Sequence, residues 1–187
     1  MNLDHDEIVR LAEEYGGRWG INHTLRLLQL IDIIGQGHDY DGEAVWLAAY
    51  LHDWGAYEAW AQPGVDHALR SQQVAEQFLQ ERGCPPDLLN RVLECIGTHH
   101  QGSPSRSIEA ILLSDADALD FLGVVGVLRD FSRSPRDMRK AFQDVQRHRG
   151  RLPGQLCLPR SQEMAAGRIR MMDDMMHAFA EDSFGLF

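Results

Sequence analysis

Apolar residues recur along this chain mostly at spacings of three and four, and turn signals cut the pattern into helical stretches. The first predicted helix runs from Asp4 to Tyr15 and is ended by Gly16-Gly17. A second runs from Ile21 to Ile34 and stops at Gly35 to Gly37. A third, from Gly42 to Trp54, is rich in Ala, Leu and Val, and Gly55 and Pro63-Gly64 mark the loop after it. A fourth spans Asp66 to Glu81, with Gly83 placed to end it. Pro85-Pro86 opens a fifth, which reaches Thr98. After the loop HHQGSPSR a sixth spans Ser107 to Phe121, and its pattern allows it to run past Gly123. The segment beyond is polar and Arg-bearing, holds Pro135, Pro153 and Pro159, and receives no element. The last helix is predicted from Ser161 to Ala180, where Met171, Met172, Met175 and Met176 read as core packing. Few segments alternate with period two. The expected fold class is therefore all-α, a compact helical bundle forming one domain over residues 1–187.

Two of these helices carry histidine on their apolar face. Val45, Ala48, Ala49 and His52 fall on one side of the third helix, and His23 shares its side with Leu27, Leu30 and Ile34. Asp117 shares a face with Ala110, Leu113, Ser114, Phe121 and Asp120, while Asp115 lies about half a turn away and is expected to point elsewhere. A buried histidine followed by a carboxylate needs a partner, because an unpaired buried charge is costly. A divalent metal is one such partner, and a hydrogen-bonded core is the other. Periodicity alone leaves the two in balance. The other His-Asp pairs, His5-Asp6 and His38-Asp39, sit in polar ends or loops and read as solvated.

The order His23, then His52-Asp53 closing AVWLAAYLHDWG, then Asp117 in ILLSDADALDFLG resembles the HD superfamily of metal-dependent phosphohydrolases. INHTLRLLQL, with Arg26 three residues after His23, is similar to the family's first ligand-bearing helix. LSDADALDFLG is similar to the D-A-D-x-L-D-x-x-G string of its small bacterial members, and the helix from Ser161 resembles their closing helix. The resemblance implies that His23, His52, Asp53 and Asp117 hold one divalent ion, with Mn, Fe, Co, Ni and Zn all suited to such N/O ligands. His67 in VDHALRSQQVAEQFL and His99 in IGTHHQGSPSRSIEA resemble the added ligands of two-iron dinucleoside-polyphosphate hydrolases. A second ion bridged by Asp53 is therefore open, against the alternative that His67 and His99 touch phosphate or cap helices.

The implied activity is hydrolysis of a phosphate monoester or nucleotide phosphate by a metal-activated water. Asp53 would orient the water, with Asp120 behind it, and Arg26, His100, Arg160 and Arg168 would contact phosphate. The chain departs from the family at Ala118, where the string usually has Arg, and at Ala56, where some members carry Lys or Glu, so no proton donor is assigned. Two other readings stay open: a di-iron oxygenase of the inositol-oxygenase type, and a non-catalytic nucleotide-binding module.

Charge and cysteine content narrow the partners. A formal net charge of -10 argues against a nucleic-acid duplex, while the Arg cluster between Arg129 and Arg170 keeps a small phosphorylated ligand in view. The 3 cysteines form no C-x-x-C pair, the start MNLDHDEIVR has no apolar signal-like core, and no apolar run spans a membrane. A reduced, cytoplasmic setting is expected. The oligomeric state is not legible.

Overall fold

The structure, a computed structural model, describes residues 3–187. Among them are eight α-helices and two short 3₁₀ turns, with no strand. The helices are α1 (His5–Ile34), α2 (Gly42–Leu51), α3 (His67–Glu81), α4 (Pro86–Thr98), α5 (Ile108–Asp120), α6 (Val124–Arg133), α7 (Met138–Arg151) and α8 (Pro159–Asp182). The chain divides into two compact units, the first ending at Ala116 and the second being Asp117–Phe187. No helix of the described residues is long and apolar enough to cross a membrane.

In the first unit the predicted helices are present. The Asp4 side chain caps α1 by accepting from the amides of Asp6 and Glu7. The expected break between two N-terminal helices is present as a kink within α1 at Gly17, whose φ of 58° favours a residue without a Cβ, and the second helical stretch resumes before Ile21. α2 is apolar nearly all round and buries Val45, Leu47, Ala48, Ala49, Tyr50 and Leu51. It packs against α1, α3 and α4, and α3 packs on α4. Burial on that scale accounts for a helix of only 10 residues that would be marginal in water. Asp41 caps it, and the Asp41 amide donates to the Glu109 carboxylate at 2.8 Å, joining the start of α2 to the start of α5.

The second unit holds what the sequence pattern misses. α5 does not run past Gly123. It ends at Asp120, and Gly123, at φ 84°, opens a new helix. The polar stretch then forms α6 and α7. α6 goes against its pattern: Val124, Val125 and Leu128 are exposed, while Arg129 and Asp130 are buried beside Val127. Arg129 is paired with Asp120 and lies over the Phe121 ring, with its guanidinium carbon 4.2 Å from the centroid. Asp130 accepts from His148 Nδ1 of α7 at 2.8 Å. α7 buries only Ala141 and Val145. Phe131, Phe142 and Phe187 gather around Phe179 of α8. Of the five α8 methionines, Met172 is fully buried, Met164, Met175 and Met176 are half-buried and Met171 is exposed, so the core reading fails for Met171.

Candidate metal centre

α2 stays helical through His52, whose amide still bonds the Ala48 carbonyl at 2.9 Å. The chain then turns sharply at Asp53 into a 3₁₀ turn, Trp54–Ala56. Trp54 anchors that turn: it is fully buried, stacked on Trp60 with centroids 4.5 Å apart, and edge-on to Phe78. Gly55 allows the turn to lie flat against α3. A Cβ there would come within 2.3 Å of the Ser71 amide nitrogen and 2.5 Å of the His67 carbonyl oxygen. The Gly55 amide instead donates to the buried Ser71 hydroxyl at 2.9 Å. The first turn of α3, capped by Asp66, is thereby pressed against the residues that follow Asp53, and it carries His67.

Two groups of donor atoms result. His23, His52 and Asp53 place one ligand atom each within 4.8 Å of one another, and so do His67, His99 and His100. The Asp53 carboxylate is shared between them. Its Oδ2 lies 3.5 Å from His52 Nε2 and 3.8 Å from His23 Nε2, and its Oδ1 lies 3.9 Å from His67 Nε2. The rings close the cluster: His52 is edge-on to both His23 and His99, with centroids at 5.3 and 5.2 Å. His100 Nε2 is 2.8 Å from His67 Nε2. The loop that leaves His99 and His100 is held by Arg106, which donates to the Thr98 carbonyl at 2.6 Å and the Ser103 carbonyl at 2.9 Å.

The donor set fits a divalent ion. Nδ1 of His52 faces the Ala49 carbonyl at 2.9 Å and Nδ1 of His99 faces the Ile96 carbonyl at 2.6 Å. A carbonyl only accepts, so Nδ1 carries the proton in each ring and Nε2 carries the lone pair. Those Nε2 atoms are the ones turned toward the cluster, the arrangement by which backbone carbonyls orient metal-binding imidazoles. His23, His52 and His99 are at most 2% exposed.

The remaining sequence candidates are spread over both units. Asp117 and Asp120 are buried in α5, and Asp115, expected to point elsewhere, is fully buried as well. Asp120 is committed to its pair with Arg129. Arg26 is half-buried on α1, one turn beyond His23, and Arg160 is exposed in the first turn of α8. Arg168 donates to the Leu119 carbonyl at 2.7 Å, so part of its guanidinium ties α8 to the last turn of α5. His100, expected at substrate phosphate, joins His67 and His99 as a potential ligand.

Sequence reasoning missed Tyr57. Its ring lies in a groove on α1 where a Cβ on Gly16 would be 2.5 Å from Cζ, and one on Gly20 would be 2.7 Å from the hydroxyl. Gly16 thus serves side-chain packing as well as marking the break that its sequence position suggested. Burial holds the Tyr57 phenol far above its ordinary value, and the Asp53 charge adds to that, so it remains a neutral hydrogen-bond donor. Trp19 was also passed over; it is 43% exposed, with its ring centroid 6.4 Å from that of His23.

Residues 20–122 match the HD domain family model. No curated protein matches. Among solved structures, a predicted HD superfamily hydrolase from an uncultured Thermotogales bacterium is 23% identical, over 95% of this chain and 92% of that chain, with a TM-score of 0.68. Bacillus subtilis YpgQ in complex with ADP is 22% identical, covers 95% and 93%, and has a TM-score of 0.73. An HD-superfamily hydrolase from Bacillus thuringiensis is 18% identical, covers 95% of each chain and has a TM-score of 0.71. At these identities the likeness is one of fold.

Proposed function

The chain belongs to the HD domain family, and from that premise we propose that it is a metal-dependent phosphohydrolase acting on a phosphate monoester or a nucleotide phosphate. The observation that carries this reading is the Asp53 carboxylate, with one oxygen toward His23 and His52 and the other toward His67. His23, His52 and Asp53 would hold the first ion, with Asp117 added as ligand on the strength of the family resemblance. His67, His99 and His100 would hold a second, with Asp53 between the two.

A divalent ion bound at such ligands acidifies water and offsets charge on a phosphoryl oxygen. The chain's own residues supply the rest. The carbonyls of Ala49 and Ile96 keep His52 and His99 in the tautomer that presents Nε2. Asp53, an acceptor only, would orient the attacking water as well as face both groups. Arg26, one turn from His23, contacts phosphate as a bidentate fork. That YpgQ, of the same fold, is solved with ADP favours a nucleotide among the substrates.

The test pairs elemental analysis with a hydrolysis panel of nucleotides and simple phosphate esters. Metal bound by the wild type and lost in His52→Ala, together with turnover of a panel member, supports the proposal. Metal bound with no turnover anywhere in the panel sinks it. The two histidine groups also favour a second reading, a di-iron oxygenase, for which oxygen consumption and a mixed-valence iron signal are the distinguishing readouts.

A further inference from the structure

The second unit concentrates the positive charge of an acidic chain. Of 18 Lys and Arg, eight lie between Val124 and Arg151, where only three of the 28 Asp and Glu occur. Where the end of α6 meets α7 they surround a cavity of about 460 Å³. α6 contributes Arg133, and Ser134 follows it. α7 contributes Lys140, Arg147 and His148, which with Asp144 fall on one helical face.

The cavity is rich in donors and poor in acceptors. Its two carboxylates are already engaged in arranging the cations. Asp144 accepts from Lys140 Nζ at 2.7 Å and from Arg147 Nη2 at 2.6 Å, and the Lys140 bond, followed by Arg147, holds its carboxyl below the ordinary range. Asp130 accepts from His148 Nδ1. One carboxylate therefore gathers two cations, and Arg133 adds a third. Hydroxyl, ammonium and guanidinium groups converging on a concave space match the acceptor oxygens of a phosphate, and the volume is that of a small-molecule site. A local excess of positive charge concentrates such anions even where the whole chain is acidic.

We propose that this cavity in the second unit is a binding site for a di- or triphosphate group. No residue of either histidine group lines it. The proposal does not depend on the phosphohydrolase reading.

Isothermal titration of the full chain with inorganic pyrophosphate, and separately with ADP, tests it. The proteins compared are the wild type, His52→Ala and Arg133→Ala/Arg147→Ala. Pyrophosphate binding retained in His52→Ala and weakened on the order of tenfold or more in the double variant supports the site, since bonds to charged groups carry effects of that size. Metal content and helicity of the double variant should match the wild type. If that variant misfolds, the exposed Lys140→Gln reads the same effect at smaller amplitude. Equal affinity for pyrophosphate and ADP identifies the diphosphate end as what is recognised, and tighter ADP identifies a nucleotide. No binding by the wild type, binding unchanged in the double variant, or an RNA that binds without displacement by pyrophosphate overturns the proposal.

Discussion

The Gly55 amide and the Ser71 hydroxyl lie 2.9 Å apart, and that bond sets the turn carrying Asp53 flat on α3. Gly55→Ala pushes a methyl group into the backbone of His67 and Ser71, which has no rotamer by which to yield. The expected loss is about 1–3 kcal/mol from overpacking, read from urea unfolding, with weaker metal retention because His67 is displaced from Asp53. Ser71→Ala leaves the amide buried without its acceptor and costs a similar amount, about 1–3 kcal/mol. Unchanged stability in both variants would mean that the turn is held elsewhere.

Metal content separates the two histidine groups. Asp53→Asn is expected to lower bound metal at both, since each carboxylate oxygen faces a different group. His67→Ala should remove no more than half, and its helicity should match the wild type because His67 is partly exposed. Full metal retention in Asp53→Asn would contradict the shared role.

Asp120 and Arg129 form a buried pair, so removing one partner strands the other. Asp120→Ala or Arg129→Ala should each cost about 3–5 kcal/mol in equilibrium unfolding. Asp120→Leu/Arg129→Met, which removes both charges while filling the space, should recover most of that loss. If Asp120 also serves the reaction, the double variant regains stability without regaining turnover.

On the surface of the first unit, Arg82 grips Glu7 through Nε at 2.9 Å and Nη2 at 2.8 Å. The Arg82 bond holds the Glu7 carboxyl below its ordinary value of 4.5. A carboxyl depressed by folding stabilises the fold at pH above its unfolded value, and the contribution disappears as pH falls through the folded value. Wild type should therefore exceed Glu7→Gln in urea midpoint at pH 7, and the gap should close below pH 4.5. A gap that is constant from neutral to acid pH would assign the effect to packing of the Glu7 stem.

The helices of the candidate metal centre were legible because their apolar content is high: α2 buries nearly every position before His52, the helical-face set included. Val45, Ala48, Ala49 and His52 repeat at helical spacing, and the structure buries all four. α6 was not legible for the opposite reason. Its aliphatic residues Val124, Val125 and Leu128 face outward, while Arg129 and Asp130 are drawn inward by Asp120 and His148, so the pattern points to the wrong face. α7 buries too little apolar surface to produce a pattern. The grouping of His100 with His67 across 33 positions depends on how α3 and α4 pack, which no local spacing encodes. Tyr57 escaped notice because Gly16 reads as a helix breaker, whereas here the missing side chains of Gly16 and Gly20 leave room for its ring.

His52 and His99 each donate an Nδ1–H hydrogen bond to a carbonyl three residues back in their own helix. That carbonyl is in position only once the last turn of α2 or α4 has wound. An extended segment of the same sequence offers neither the fixed tautomer nor the aimed lone pair. Presentation of those lone pairs is thus made conditional on helix formation, and the finished fold offers them without first having to reorient the rings.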